Sequence, residues 1–275
     1  AGAPGSPGRR PGARLATVSP AANVTLAEVA GALALVAIAA AVSVWRRVEV
    51  ERDLGLAVLR SFLQLTAVGY VIQAIFDSDS LWLVAALLTV MVAFGAFTAR
   101  RRARAVPGAL GPLVLALGAA GAVTLGLVVA LGVFEAEPRA LVPVGGMVIG
   151  NAMTAAAVSL NRLADEVRGA ARQIEATLSL GATAREAAAG LVTRSLRSGM
   201  IPLIDSTKTT GVVFFPGTMV GMLLAGARPI DAVRLQLILL WSLLGSVALA
   251  AVLATTLGYR GFFTPAHQLR ELPEG

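Results

Sequence analysis

Residues 81–134 read LWLVAALLTVMVAFGAFTARRRARAVPGALGPLVLALGAAGAVTLGLVVALGVF. Two apolar runs, 81–99 and 110–134, flank a short connection that carries Arg100, Arg101, Arg102 and Arg104. A helix needs about 20 predominantly apolar residues to cross a hydrocarbon core about 30 Å thick, and each run is close to that length or beyond it. The stretch therefore reads as two membrane helices joined on an arginine-rich side. Working outward, the runs 24–45 and 54–76 precede this pair, and 141–160, 203–226 and 232–259 follow it. The fold class expected is an all-α, polytopic membrane bundle of about seven transmembrane helices. Composition agrees: 56% of residues are hydrophobic and 14% charged, against about 25% charged in soluble domains.

Orientation follows from where the arginines fall. Arg46, Arg47 and Arg52 lie after the first run, and Arg100 to Arg104 after the third. Arg162, Arg168, Arg172, Arg185, Arg194 and Arg197 lie after the fifth, and Arg260 and Arg270 after the last. The opposite loops hold Arg139 and Arg228 beside Asp77, Asp79, Glu135 and Glu137. By the positive-inside rule the N-terminus is outside and the C-terminus cytoplasmic. The net charge of +7 thus reads as loop arginine facing a lipid bilayer, with no nucleic-acid partner. The chain is expected in the cell membrane, as a multi-pass protein.

The organisation expected is a disordered Pro/Gly/Ala-rich tail over 1–23, a transmembrane domain over 24–260, and a cytoplasmic tail over 261–275. The run 26–45 is too long for the apolar core of a signal peptide and lacks a small-residue cleavage site, so it is taken as the first membrane helix. There are no cysteines, which excludes disulfides and thiolate metal sites. The only lysine, Lys208, follows Thr207. A phosphate-binding P-loop needs glycine directly before its lysine, so no ATP site is expected on this chain.

Gly146–Gly150 and Gly217–Gly221 have the GxxxG spacing that lets helix backbones approach, and ordinary bundle packing accounts for both. Pro216 lies inside the sixth run and should kink or break it.

The segment 161–202, NRLADEVRGAARQIEATLSLGATAREAAAGLVTRSLRSGMIP, forms a long cytoplasmic loop. Leu163, Val167, Ile174, Leu178 and Leu191 recur at roughly helical spacing. Gly181 interrupts the pattern, and Thr183 with Glu186 three residues on reads as the cap of a second helix. Such a helix–glycine–helix fits a cleft on a separate motor domain, and it equally fits an amphipathic pair lying on the membrane surface.

Charges within spans are costly, about 2.5–3.5 kcal/mol at the centre on insertion scales. Arg60 and Gln64 share a face of the second run, Asp205 and Lys208 share a face of the sixth, and Asn151 sits mid-way along the fifth. With Met153 these are the candidate pathway residues. A structural ion pair, or side chains reaching to the interface, accounts for the charged ones equally. A charge relay between Arg60 and Asp205 is a further hypothesis. The methionines Met147, Met153, Met200, Met219 and Met222 are ordinary core fillers, and thioethers suit soft ions rather than iron. The metal ligands, if any, are unknown from sequence.

Several stretches resemble one family. Glu175-Ala176-Thr177 followed by Gly181 is similar to the EAA---G coupling motif of ABC permeases, although Ile201-Pro202 comes twenty residues after the glycine, later than in import permeases. Arg60-Ser-Phe-Leu-Gln64-Leu with Gly69-Tyr70, Gly146-Met-Val-Ile-Gly150-Asn151-Ala-Met153, Leu178-Ser-Leu-Gly181-Ala182-Thr183 and Asp205-Ser-Thr-Lys208-Thr-Thr-Gly211 occur in order. With Pro216-Gly217 and Ala225-Gly226 they resemble the FetB-type permeases of iron-export ABC transporters, whose plant relatives include aluminium-tolerance proteins. A methionine of that pattern is Thr218 here.

The resemblance implies a permease exporting iron or another metal ion by alternating access. It implies a cytoplasmic ABC ATPase that holds ATP and Mg, and a second copy of this permease in a two-plus-two complex. Glu175, Ala176, Gly181, Ala182 and Thr183 would meet the ATPase. A nucleotide sugar or other organic anion is the alternative cargo, which Arg60 and Lys208 would suit. A retinal-type receptor would need an aromatic pocket around Lys208, and aromatics are only 5%. No protease constellation is spaced for intramembrane catalysis.

Overall fold

The computed structural model describes residues 26–47 and 50–270; the expected tail over 1–23 lies outside them. The described chain is helical: α1 Leu26–Arg46, α2 Glu51–Ser78, α3 Leu81–Arg102, α4 Leu110–Ala130, α5 Pro138–Gly169, α6 Ala171–Ser179, α7 Ala184–Thr209, α8 Gly217–Leu224 and α9 Pro229–Gly258. A 3-10 turn, Tyr259–Phe262, follows α9. Five of these helices, α2, α3, α4, α5 and α9, are long and apolar enough to cross a membrane.

Helix α1, Leu26–Arg46, is 21 residues long and covers most of the first run. The expectation of about seven spans is corrected at one run. The sixth run, 203–226, is not one helix. Its first part belongs to α7, which begins at Ala184 and runs through Pro202 without stopping. The helix then ends at Thr209, Gly211 takes a left-handed φ of +85°, and Pro216 caps the eight-residue α8. At 1.5 Å per residue α8 is about 12 Å long, far short of a crossing. The break expected at Pro216 is present, but it separates two partial helices instead of kinking one span.

The chain divides into two compact units. One holds α1, the start of α2 to Leu59, α8 and the first residues of α9. There the α1–α2 connection is closed by Ser43, whose hydroxyl donates to Glu51 Oε2 at 2.8 Å and accepts the Val50 N–H at 3.1 Å. Arg228 Nε donates to Asp231 Oδ2 at 2.7 Å across the start of α9.

The other unit holds the rest of the chain and is organised around α5, which packs against α3, α4 and α7. Small residues permit this. A Cβ on Gly145 would collide with Leu88 and reach within 3.3 Å of Leu125, and one on Gly95 would lie 3.0 Å from Leu117. Of the glycines read as GxxxG, Gly146 also faces a neighbour, a Cβ there lying 3.0 Å from Met91 Cε, while Gly150, Gly217 and Gly221 meet nothing within 4 Å. Helix α9 runs alongside α5 in the same direction, with Ser246 Oγ donating to the Val148 carbonyl and Gly258 lying against Leu160.

At the arginine-rich end the core continues past the apolar spans. Val106, Leu163, Val167, Ile174, Ala184 and Leu191 pack with Phe262 and Phe263, which are 0% and 5% exposed. Residues 261–270 are therefore anchored to the fold. A Cβ on Gly261 would run into the Pro107 carbonyl, and Arg270 N–H donates to Phe262 O at 2.8 Å.

The tightest crossing is α5 with α7, where a Cβ on Gly199 would fall onto Ser159 Oγ and lie 2.8 Å from the Ala155 carbonyl. Gly199→Ala should lower the thermal midpoint of the purified protein, costing about 1–3 kcal/mol as overpacking does. Adding Ser159→Ala should recover only part of the loss, since the Ala155 backbone remains in the way. A midpoint unchanged in the single variant would contradict this packing.

Candidate functional site

Helix α5 continues without a break to Gly169, one residue turns the chain at Ala170, and α6 and α7 form a helical hairpin. The turn between them is closed from both sides. At the end of α6, Gly181 N–H donates to Leu178 O at 2.9 Å and Ala182 N–H to Thr177 O at 3.3 Å, with Gly181 at φ +91°. This paired closure satisfies helix-terminal carbonyls and requires a left-handed residue, which glycine adopts without a Cβ clash.

At the start of α7, Thr183 Oγ1 accepts the Glu186 N–H at 3.3 Å, and Glu186 Oε2 accepts the Thr183 N–H at 2.8 Å. The reciprocal capping box read from Thr183 and Glu186 is formed. A further contact comes from far along the chain: Ala184 N–H donates to His267 Nδ1 at 3.3 Å. The sole histidine thus takes another of the free N–H groups that open a helix.

Glu175 and Ala176 are exposed on α6, and Gly181 and Thr183 are exposed at the turn, with Ala182 half-buried. Leu180 is 90% exposed at the tip, while Ile174 on the same helix is buried in the core. The five residues assigned to motor coupling therefore form one local surface, backed by a hairpin whose inner face is fastened. The fastening includes charge. Glu166 on α5 accepts Arg162 on its own helix at 2.6 Å and Arg194 Nε on α7 at 2.7 Å. Its side chain is only 13% exposed. A groove of about 280 Å³ between α6 and α7 is lined by Gln173, Thr177, Glu186 and Arg194 among others.

The candidate pathway residues scatter more. Arg60 and Gln64 are exposed on α2. Asp205 accepts Lys208 Nζ at 3.0 Å on its own helix, so the structure supplies Asp205 with an intrahelical partner. Met153 packs in the core, its sulfur 3.8 Å from the position a Gly95 Cβ would take. Asn151 lines a cavity. That cavity, about 240 Å³, lies between α5, α7 and α9 and is bounded by Asn151, Thr154, Gly199, Pro202, Ser206 and Val247, with apolar neighbours.

Sequence reading missed Thr154 and Ser206 here. Thr154 was legible as a neighbour of Asn151 on one helix face. Ser206 was not, because its register depends on α7 running unbroken through Pro202. Among the described residues no group of three or more His, Cys, Asp or Glu is placed to hold a metal. At the opposite end, Glu137 is held above the ordinary carboxylate value by its hydrogen bond and charge repulsion with Glu135.

The cap has a measurable signature. The Thr183 backbone N–H, then its hydroxyl, hold the Glu186 carboxyl below its ordinary value of 4.5. A depressed carboxyl stabilises fully above its unfolded value and loses that contribution as pH falls through the lower folded value. Amide protection at the start of α7, measured relative to the intrinsic exchange rate at each pH, should therefore fall below about pH 4.5 in the native chain, and Glu186→Gln should remove that acid-dependent part. Thr183→Ala should cost about 1 kcal/mol at neutral pH. Exchange insensitive to both changes would mean the cap is not formed.

Comparison with known proteins places this architecture. A family model matches residues 26–263, that of UPF0014, described as an uncharacterised protein family. The UPF0014 membrane protein STAR2 of Oryza sativa subsp. japonica is 40% identical over 87% of this chain and 84% of its own length. The protein ALUMINUM SENSITIVE 3 of Arabidopsis thaliana is 37% identical over 88% of each chain. The "Probable iron export permease protein FetB" of Escherichia coli (strain K12) is 36% identical over 90% of this chain and 95% of its own. No solved structure matches. The apolar helices and these matches agree, and the chain is a multi-pass membrane protein that belongs to the UPF0014 family.

Proposed function

We propose that this chain is the membrane-spanning permease subunit of an ABC-type transporter, exporting iron or another metal ion by alternating access. ATP and Mg are held by a separate cytoplasmic ATPase, which docks on the Gly181 turn. The observation that carries the reading is the α6–α7 hairpin: an exposed tip at Glu175, Leu180 and Gly181, closed rigidly on both sides and fastened to the span helices behind it. A loose interfacial helix pair has no need of such fastening. The likeness to the probable iron export permease of Escherichia coli supports a metal ion as the cargo.

The mechanism follows from the connections of α7. Its 26 residues extend about 39 Å at 1.5 Å per residue, from the turn to the cavity beside Asn151. A push delivered at Gly181 reaches α7 through the capped start of that helix. It reaches α5 through the Glu166–Arg194 pair and through the Ser159–Gly199 crossing. Motion at the hairpin is thereby converted into rearrangement beside the cavity. In the orientation proposed, the N-terminus is outside and the arginine-rich end cytoplasmic.

A second copy completes the complex. The most hydrophobic stretch of α2 has no buried residue, and the irregular connection after α7 exposes Val212 and Val213 at 88% and 76%. Irregular backbone at membrane depth is tolerated where protein or a water-filled path covers it.

The test is ATP-dependent accumulation of Fe²⁺ in inside-out vesicles holding this chain and its cognate ATPase. Glu175→Ala and Gly181→Val should each leave the complex assembled while cutting ions moved per ATP hydrolysed at least several-fold. Undiminished coupling in both would remove the hairpin from the motor contact. Accumulation of a nucleotide sugar in place of the metal would favour the alternative cargo.

A further inference from the structure

We infer that Arg60 and Gln64 on α2 of one copy pair with Asp205 and Lys208 on α7 of a second copy, joining the two by a polar contact inside the membrane. The inference rests on the permease reading, which calls for a second copy, and names the residues that hold it.

Helix α2 stands apart over the stretch that matters. Every residue from Leu59 to Val71 is exposed, so no helix of the same chain packs over it. Arg60 and Gln64 lie one turn apart on one face, and neither has a polar partner among the described residues. Such side chains are costly against lipid and face protein or water instead. Arg60 has a stem long enough to reach back toward the arginine-rich end. Gln64, shorter and one turn deeper, has not.

The polar stripe on α7 matches in depth. Both helices run away from the arginine-rich end, so depth can be counted along each from an arginine there. Arg60 follows Arg52 by eight residues, and Asp205 follows Arg197 by eight, about 12 Å in each case. Gln64 follows Arg52 by twelve and Lys208 follows Arg197 by eleven, about 18 and 17 Å. A twofold axis normal to the membrane keeps every residue at its own depth. In such an isologous contact the stripes meet level with one another, and the pairing occurs twice.

The groups also complement one another in chemistry. Lys208 Nζ donates to Asp205 Oδ1 at 3.0 Å, which leaves Oδ2 to accept the Arg60 guanidinium. Lys208 keeps two further N–H groups, and the Gln64 side-chain oxygen is the acceptor at its level. Asp205 and Lys208 are 61% and 68% exposed in the single chain, so a second helix has access to both. Glu166 has the same arrangement inside the chain. It accepts Arg162 from its own helix and Arg194 from a neighbouring one.

The chain has no cysteine, so the pairing can be read directly. Two copies with different tags, one carrying Arg60→Cys and the other Asp205→Cys, are produced together with the cognate ATPase. Membranes holding the complex are treated with a short, membrane-permeant thiol–thiol crosslinker. A product carrying both tags is expected. Both substitutions placed in one copy, beside an unsubstituted copy, should give no internal crosslink. Self-association is read separately, by energy transfer between labelled copies of the complex diluted in lipid. Arg60→Met and Asp205→Asn should each weaken it about tenfold, and the double variant should lose little more than either single one.

Copies that co-purify but never crosslink between tags would overturn the pairing and leave the permease reading standing. A crosslink formed only when both substitutions share one copy, or losses that add in the double variant, would do the same. A crosslink between tags in a complex that moves neither metal ion nor nucleotide sugar with ATP would sink the permease reading and leave the pairing.

Discussion

Helix α7 lies against α5 because position 199 has no side chain. Ser159 and the Ala155 carbonyl occupy the space a Cβ would need, and Ser195, one turn earlier, is fully buried with its hydroxyl returned to Leu191 O at 2.7 Å. Everything functional in the larger unit follows from that contact. On its arginine-rich side the two helices are pinned by Glu166 and Arg194 and lead to the hairpin turn. On its other side they part around Pro202, and the parting is the cavity. A hairpin that meets solvent and the cavity beside Asn151 thus share one stiff helix.

Most of the chain could be read from residues alone because membrane helices carry their signature in length and hydropathy. Runs such as 81–99 and 110–134 needed no tertiary information, and α3 and α4 cover most of each. The hairpin was legible for a different reason. Helix ends obey local chemistry, so Gly181, Thr183 and Glu186 announce a stop and a start whatever surrounds them.

The failures also have physical causes. The run 203–226 is apolar enough to pass as a span, but Gly211 and Pro216 outweigh its hydropathy. Conversely, Pro202 looks like a boundary and is not, because a long helix held along α5 tolerates one missing hydrogen bond. Long-range partners were out of reach. Nothing in the sequence joins Glu166 to Arg194, or His267 to the start of α7, until the fold brings residues 28 and 83 positions apart together. For the same reason Asn151 was identified while Ser206, its companion across the cavity, was not.

The central claim is that the Gly181 turn is where an ATPase delivers force to α7. The chain has no cysteine, so single cysteines report on one position each without background. Leu180→Cys at the hairpin tip and Trp82→Cys at the start of α3 would be compared in membranes holding the complex, using a short thiol-to-amine crosslinker. A crosslink to the ATPase from position 180, altered by ATP and absent from position 82, is the result predicted. An ATPase that assembles with the chain yet never crosslinks from position 180 would contradict the account.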